Sequence, residues 1–437
     1  MNKRYLIQFA CIALTAVVAC NQPESKKEAN QKKTDTTANR PAPSTQAFLT
    51  LPALDALFYE PDFSKKLKSD LGLTAEQIEK LKTAARTSLR ELNEDGAADA
   101  ASAKTATQQY EAKIREIIGA DKFPQLQELV AQLYGKGLEG LAPARPNFVP
   151  TDTRIVVNAP AFRMDVFQEG KLIKSYKVGI GYPEFPLPTG MRRADTLIFN
   201  PSWTPPDEPW VKGKFQPGKK VSGSSDLNPL GVIKIPIGLP SLIHGGKQLE
   251  KIGSFASHGC VGLTNTQVKD FTATLAKLGG SGLTSEKIAS LIKLGKTKSV
   301  NLSTPVPVDL RYETIVAENG SLHIYRDVYE RGTNSLDEAK RILSTYNVKY
   351  ESLTEQEKTD LNAALAEMNR DPKGNTVDTT SDKDTKNGVA PSKIARAKQG
   401  RTTTKVKGEK EMSVAITALQ GKGYPAPVDL NSGQTVK

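Results

Sequence analysis

Ser257-His258-Gly259-Cys260-Val261, together with the upstream Ile243-His244-Gly245, is the part of this sequence that indicates both its fold and its chemistry. The other two cysteines, Cys11 and Cys20, belong to an apolar N-terminal segment with the features of an export signal. Cys260 therefore has no disulfide partner. An unpaired cysteine in an exported protein meets an oxidising environment, so its presence indicates a chemical role. A nearby histidine favours that role, because a thiolate is a strong nucleophile once a base lowers its pKa.

Acyl transfer by a cysteine needs a nucleophile, a base and hydrogen-bond donors for the oxyanion, and these segments supply candidates for each. Cys260 is the nucleophile. Either histidine is a candidate base: His258 would share a strand face with Cys260, whereas His244 would be brought opposite by a neighbouring strand. The predicted oxyanion donors are the backbone N–H groups of His258, Gly259 and Cys260, since glycine permits a close turn. Ser257 either holds this loop by hydrogen bonding or is only a small loop residue.

The two segments resemble the active-site signature of the L,D-transpeptidases of the YkuD family, which crosslink bacterial peptidoglycan. Further matches follow in the family's order between residues 154 and 330. They are residues 154–158, 162–164 and 170–171 for the first hairpin, 178–181 and 188–190 for the next strand and turn, 200–206 and 228–231 for substrate-side loops, and 305–308 and 312–314 for closing strands. The resemblance implies a mainly β fold, an antiparallel β-sandwich with one or two helices.

The resemblance also implies roles within the site. It places the proton acceptor at His244, with the ring oriented by the backbone carbonyl of Gly245, and leaves His258 a supporting role. One position departs from the family, which usually has arginine two residues after the cysteine, where this chain has Gly262. An arginine there would hold the loop or a substrate carboxylate by paired hydrogen bonds that glycine cannot supply. The departure bears on substrate preference and loop order, but not on the thiol chemistry.

By resemblance, the donor substrate is a peptidoglycan tetrapeptide stem, attacked at the carbonyl of its third residue with loss of D-Ala. An amine of another stem would then form a crosslink between two third residues, and a lysine of an envelope protein would attach that protein to the wall. With water as acceptor the chain would be a thiol hydrolase, a carboxypeptidase or wall-link-cleaving peptidase. An inactive wall-binding lipoprotein is the remaining alternative. The chemistry needs no metal or organic cofactor, and no Cys/His cluster in the sequence would hold one.

The N-terminus predicts export and lipid anchoring. Residues 1–19 combine a basic start with an apolar run that is typical of a signal peptide and too short to span a bilayer. Residues 17–20, Val-Val-Ala-Cys, resemble the lipobox of bacterial lipoproteins, in which the cysteine, here Cys20, is lipidated. An ordinary signal peptide cut elsewhere is the alternative. Asn21 stands where the inner-membrane retention signal usually has Asp, which favours a periplasmic protein anchored to the outer membrane.

Composition divides the remaining chain into five segments. Residues 20–48 are polar and predict a flexible linker. Apolar residues at helical spacing predict a helical domain over 49–142. Short β-branched runs predict a β fold over 150–331, which the resemblance identifies as the catalytic domain. Two capping boxes predict a helical extension over 332–370. Residues 371–437 are basic and predict a disordered tail.

The net charge of +12 accompanies no nucleic-acid-binding motif, so the expected partners are peptidoglycan stems and a membrane rather than nucleic acid. The charge is either a solvated surface or an attraction to anionic envelope polymers. His323 lies in a late strand and is predicted to be structural. Trp203 and Trp210, set among prolines, either form an aromatic wall for the peptide stem or pack in the core.

Overall fold

The computed structural model describes residues 51–58, 62–90, 111–134, 146–238, 241–377 and 399–430. The predicted signal peptide and linker, with Cys20, lie outside these ranges. Among the described residues, no helix is both long enough and apolar enough to cross a membrane.

The N-terminal region is helical, as the spacing of its apolar residues predicts. It contains α1 (Leu51–Leu57), α2 (Phe63–Ser69), α3 (Ala75–Arg90) and α4 (Lys122–Tyr134), and residues 111–118 are also helical. Helix α3 begins with a reciprocal cap, because Gln77 N–H donates to Thr74 Oγ1 at 3.1 Å and Thr74 N–H donates to Gln77 Oε1 at 3.0 Å. The buried faces of the helices share one apolar core, which includes Leu54, Leu67, Leu81, Ile114, Phe123, Leu126 and Val130.

An eight-stranded mixed sheet forms the centre of the molecule, in the order β3-β2-β1-β10-β5-β6-β7-β9. Its strands are β1 (Arg154–Asn158), β2 (Arg163–Gln168), β3 (Lys171–Lys177), β5 (Gly190–Phe199), β6 (Ile233–Pro236), β7 (Leu242–His244), β9 (Val261–Gly262) and β10 (Lys298–Arg311). The pairs β1–β10 and β7–β9 are parallel, and the other neighbours are antiparallel. A short parallel pair, β4 (Ile180–Gly181) and β8 (Phe255–Ser257), accompanies the sheet.

Two helices accompany the sheet: α5 (Asn265–Leu278) and α6 (Ser285–Lys293). Helix α5 begins at a capping box formed by Thr264 and Gln267, and its residues Val268, Phe271 and Leu275 are fully buried in the core of the sheet. The mainly β fold that the sequence predicts, with one or two helices, is confirmed.

A second, three-stranded sheet contains β11 (Ile315–Glu318), β12 (Ser321–Tyr325) and β13 (Glu411–Ala415). Helices α7 (Leu336–Thr345) and α8 (Glu355–Met368) share an apolar core with it. The structure thus groups β11 and β12 with the following helices, whereas the sequence analysis assigned them to the catalytic domain. The reason is that Leu322 and Ile324 of β12 are buried in this smaller core.

Residues 399–430 also differ from the expected disordered tail. Strand β13 pairs along the whole of β12, and Val414, Ile416 and Leu419 are buried in the same core. Basic residues before this strand dominate the composition of the segment. Val414, Ile416 and Leu419 are too few to change that average, so the composition alone does not predict a strand. Residues 371–377 are described too, and the remaining parts of the predicted tail lie outside the described residues.

The helical region and the central sheet are joined by a buried ion pair. Arg193 on β5 bonds Asp55 on α1 through both Nε and Nη2, and each side chain is 2% exposed. Arg193 also donates from Nη1 to Asp195 at 3.0 Å. Burial raises the pKa of Asp55 although Arg193 favours its charged form. This carboxylate would therefore be costly without its partner.

We expect Arg193→Met to lower the free energy of unfolding by about 3–5 kcal/mol, because it leaves Asp55 buried without its cation. The control is Lys65→Met, which removes a mostly exposed pair with Asp62 and should cost less than about 1 kcal/mol. Urea unfolding of the three proteins measures both values. Equal midpoints for the two variants would contradict the importance of the buried pair.

Candidate active site

The parallel pairing of β7 with β9 brings the two predicted segments together. Ile243 lies opposite Val261 and His244 opposite Gly262. The pairing continues into Leu263, whose N–H donates to the carbonyl of His244 at 2.8 Å. Since Cys260 immediately precedes β9, this register places it opposite Leu242, two residues before His244 and on the same face of the sheet.

Cys260 is a free cysteine and is 6% exposed. It belongs to a small apolar cluster with Trp203, Leu230 and Leu242. Burial raises the pKa of its thiol, because a thiolate is poorly solvated there. A hydrogen bond from the backbone of Leu242 and the charges of two nearby lysines act in the opposite direction. The site therefore combines an apolar wall with a few polar groups that favour the thiolate.

Two serines hold the loop that carries the thiol. Ser257 Oγ accepts from the N–H of Cys260 at 3.0 Å and donates to the carbonyl of the same residue at 2.5 Å. Ser241 Oγ donates to the carbonyl of Gly259 at 2.7 Å. Gly259 has φ +99°, a conformation that favours glycine, so the turn requires this residue type.

The backbone N–H of Cys260 is predicted to donate to the oxyanion, but in the structure it donates to Ser257 Oγ. This N–H lies in a tight turn closed by that serine, a contact that sequence spacing does not reveal. Within the described ranges, the N–H groups of His258 and Gly259 have no hydrogen-bond acceptor in the protein. These two groups are therefore the ones available to an oxyanion.

His244 is buried, and its Nδ1 lies 2.8 Å from the carbonyl oxygen of Gly245. A carbonyl can only accept, so Nδ1 carries the proton in the neutral ring and Nε2 is the basic nitrogen. Burial, reinforced by the charge of Lys247, lowers the pKa of His244 to about 3. The ring is therefore neutral at pH 7 and is oriented to accept a proton at Nε2.

His258 is enclosed by aromatic rings. Trp210 stacks on it with the ring centroids 3.7 Å apart, and Tyr182 and Phe185 contact it edge-on at 5.0 and 4.7 Å. Its Nε2 is buried and has no hydrogen-bond partner in the protein. Burial lowers the pKa of His258 to about 3. This histidine is thus part of an aromatic wall of the site.

Of the two tryptophans, one packs in a core and the other lies in the aromatic wall, so each fits one of the two predicted roles. Trp203 is buried in the cluster around Cys260, and Trp210 is half-buried above His258. His323 lies in the three-stranded sheet and contacts Glu411 Oε1 through Nδ1 at 2.5 Å. It is structural in this arrangement, because the hydrogen bond joins β12 to β13.

Sequence reasoning missed three residues that shape the site: Ser241, Lys247 and Asn265. Asn265 Oδ1 accepts from the N–H groups of Gly246 and Val232, at 2.9 and 3.2 Å, and so fixes the chain just after His244. In the sequence, Asn265 reads only as the first residue of α5. Ser241 and Lys247 flank His244 closely, but a polar residue near a motif is too common to signal a role.

No group of three or more His, Cys, Asp or Glu side chains among the described residues could hold a metal ion. The polar groups around Cys260 are instead backbone amides, hydroxyls and ammonium groups. Such a set can stabilise a thiolate and an oxyanion.

Comparison with known proteins supports the fold and the class of the domain. Residues 152–308 match the YkuD family model, which is described as the L,D-transpeptidase catalytic domain. No curated protein matches the chain. The mainly β, YkuD-like fold predicted from the sequence is therefore confirmed, and the family match covers the strands and loops of the site.

Three similar solved structures are L,D-transpeptidases. One is from Mycobacterium smegmatis, with 14% identity, 37% of this chain and 58% of that chain covered, and a TM-score of 0.22. Another is the catalytic domain from E. faecium, with 18% identity, coverage of 37% and 98%, and a TM-score of 0.20. The third is L,D-transpeptidase 3 from Mycobacterium tuberculosis, with 14% identity, coverage of 36% and 60%, and a TM-score of 0.23. The chain thus spans little more than half the length of the two mycobacterial proteins.

We expect Ser257→Ala to lower the free energy of unfolding by about 1–3 kcal/mol, because it leaves the buried N–H of Cys260 without its partner. The matched control is Ser303→Ala, which removes an exposed hydroxyl bonded to the carbonyl of Gly280 and should change stability by less than about 0.5 kcal/mol. Thermal unfolding measures both. A Ser257→Ala protein as stable as this control would refute the holding role of the serine.

Proposed function

We propose that this protein is a cysteine-dependent acyl transferase of the bacterial cell wall. It would act on peptidoglycan stems and join them to one another, or join a protein to them, through a thioester on Cys260. One observation carries the proposal: a buried thiol and a neutral, oriented imidazole lie on neighbouring strands of a domain that matches the L,D-transpeptidase model. The stems and the crosslink type come from the resemblance of the sequence motif to that family.

In the first half-reaction, Cys260 Sγ attacks the carbonyl carbon of the third residue of the donor stem. The thiol proton passes to Nε2 of His244, and the N–H groups of His258 and Gly259 donate to the oxyanion. The tetrahedral intermediate then collapses. The C–N bond to D-Ala breaks, and His244 returns the proton to the departing amine. A thioester remains on Cys260.

In the second half-reaction, an acceptor amine attacks the thioester carbonyl and gives a proton to His244. The C–S bond breaks, and the sulfur recovers the proton to regenerate the thiol. The low pKa of His244 suits the two steps in which the ring returns a proton, to the departing amine and to the sulfur, because a protonated ring in this buried position is a strong acid. The same environment makes the first proton transfer the difficult one.

A thiol hydrolase is the second candidate, and Gly262 favours it. The family that the sequence resembles usually carries an arginine at this position, where it would hold the loop or a substrate carboxylate, and the change bears on which acceptor is used. With water as acceptor the same thioester gives a shortened stem instead of a dimer. Product analysis therefore separates the two candidates.

We expect Cys260→Ala to abolish conversion of disaccharide-tetrapeptide stems and His244→Ala to reduce it about 10²–10⁴-fold, the usual contribution of a positioned base. His323→Ala is the matched control, a histidine in the other sheet, and should keep the activity. Mass spectrometry of the products measures all four proteins. A crosslinked dimer supports the transferase, and a shortened stem without a dimer supports the hydrolase. Turnover by folded Cys260→Ala would exclude the thioester mechanism.

We also propose that the protein is held in the cell envelope, on the periplasmic side of the outer membrane, by acylation of Cys20. The support is the lipobox-like Val-Val-Ala-Cys at residues 17–20. We expect Cys20→Ser to lose incorporation of labelled palmitate, while Cys11→Ser, a change in the same apolar segment, keeps it. Membrane fractionation should show that Cys20→Ser is released from the membrane, since the acyl chains on this residue are the proposed attachment. Unchanged labelling of Cys20→Ser would refute lipidation at this residue.

A further inference from the structure

Lys247 lies across the strand that follows Cys260. Its backbone N–H donates to the carbonyl of Leu263 at 3.0 Å, which fixes the residue beside β9. A Cβ atom added to Gly262 would stand 2.8 Å from Cγ and 2.9 Å from Cε of Lys247. Real side chains do not approach so closely. The aliphatic stem of Lys247 therefore occupies the space that a side chain at position 262 would need.

The ammonium group of Lys247 acts on all three chemical groups of the site. Its charge lowers the pKa of Cys260, of His244 and of His258, and among the described residues no other charged side chain acts on all three. Within those residues, no carboxylate forms an ion pair with Lys247. No acidic partner among these residues therefore neutralises its charge.

Other lysines act on fewer of these three groups. Lys234, on β6 and opposite His244, lowers the pKa of His244 and Cys260, whereas Lys214 acts on His258. Lys251 lowers the pKa of Lys247 and the Cys260 thiol raises it, and with burial as the largest cause the pKa of Lys247 falls to about 8. Lys247 therefore remains mostly charged at pH 7.

We propose that Lys247 is a positioning residue that supplies the positive charge beside the Cys260 thiolate, and that Gly262 is the glycine whose missing side chain makes room for it. The cation thus comes from the chain after β7, where related sequences carry an arginine after the cysteine itself. The proposal rests on the proposed role of Cys260 as nucleophile. When the thiol gives its proton to His244 Nε2, negative charge develops on the sulfur two residues before Gly262, over which the stem of Lys247 lies.

The test is the pH dependence of Cys260 alkylation by iodoacetamide, followed at the Cys260 peptide by mass spectrometry. We expect Lys247→Met, which keeps the length of the stem but not the charge, to shift the profile by about one pH unit to higher pH. This corresponds to a rate about tenfold lower at pH 7. Lys247→Arg should keep the wild-type profile. Lys287→Met, which removes an exposed lysine on α6, is the control and should not shift it. An unshifted profile in Lys247→Met would overturn the proposal.

A double variant tests whether the two positions share one space. Lys247→Ala together with Gly262→Arg moves the cation to the other side of the same gap and should return the profile toward the wild type. A folded double variant with the profile of Lys247→Met would contradict this part. If Lys247→Met does not fold, Lys247→Gln replaces it as the uncharged variant. Thermal unfolding identifies any loss of structure.

The alkylation assay distinguishes failure of the Lys247 proposal from failure of the proposed transferase activity. Alkylation requires no peptidoglycan substrate, so a shifted profile in Lys247→Met supports the role of Lys247 even if the enzyme fails to convert stems. An unshifted profile in a variant that still crosslinks stems would refute the role of Lys247 and leave the transferase intact.

Discussion

The parallel register of β7 and β9 is the constraint on which the site depends. It sets His244 opposite Gly262 and leaves Cys260 at the start of the edge strand. On its other side, β9 is held by Gly179, whose N–H and carbonyl both bond Gly262 at 2.8 Å. A strand of two residues would be weak alone, and this second partner protects its edge. A shift of one residue would turn the thiol away from His244, because neighbouring side chains point to opposite faces.

Burial keeps the thiol and imidazole groups of this site uncharged at rest. The same apolar surroundings raise the pKa of the Cys260 thiol and lower those of His244 and His258 to about 3, so the resting groups are neutral at pH 7. Forming the thiolate then needs compensation close to the sulfur. The backbone of Leu242 and the charge of Lys247 provide it. A lysine is suited to this position because its stem packs against apolar surface while its ammonium stays polar.

Features that depend on residues close together in the chain were predicted correctly from the sequence. The two capping boxes over residues 332–370 predicted helices that the structure contains as α7 and α8, and the motif around Cys260 singled out the thiol and both histidines. Contacts between distant segments were not predictable. The stem of Lys247 over Gly262, and Trp210 on His258, depend on how loops fold back, which no spacing encodes. Strand β13 was not predicted either, because basic residues dominate the segment before it and its partner β12 lies far away in the sequence.

The C-terminal residues complete the wall of a site that lies mostly within residues 152–308. Thr403 donates from its N–H and hydroxyl to the carboxylate of Glu184, at 2.9 and 2.8 Å, and Gly400 packs against the backbone of Pro209. Glu184 directly precedes the phenylalanine that contacts His258, and Pro209 directly precedes the tryptophan that stacks on it. Both aromatic contacts are therefore supported from behind by a segment that the family model does not include. Since an aromatic ring keeps a fixed orientation only where its backbone is held, the enclosure of His258 is a property of the longer chain and not of the catalytic domain alone.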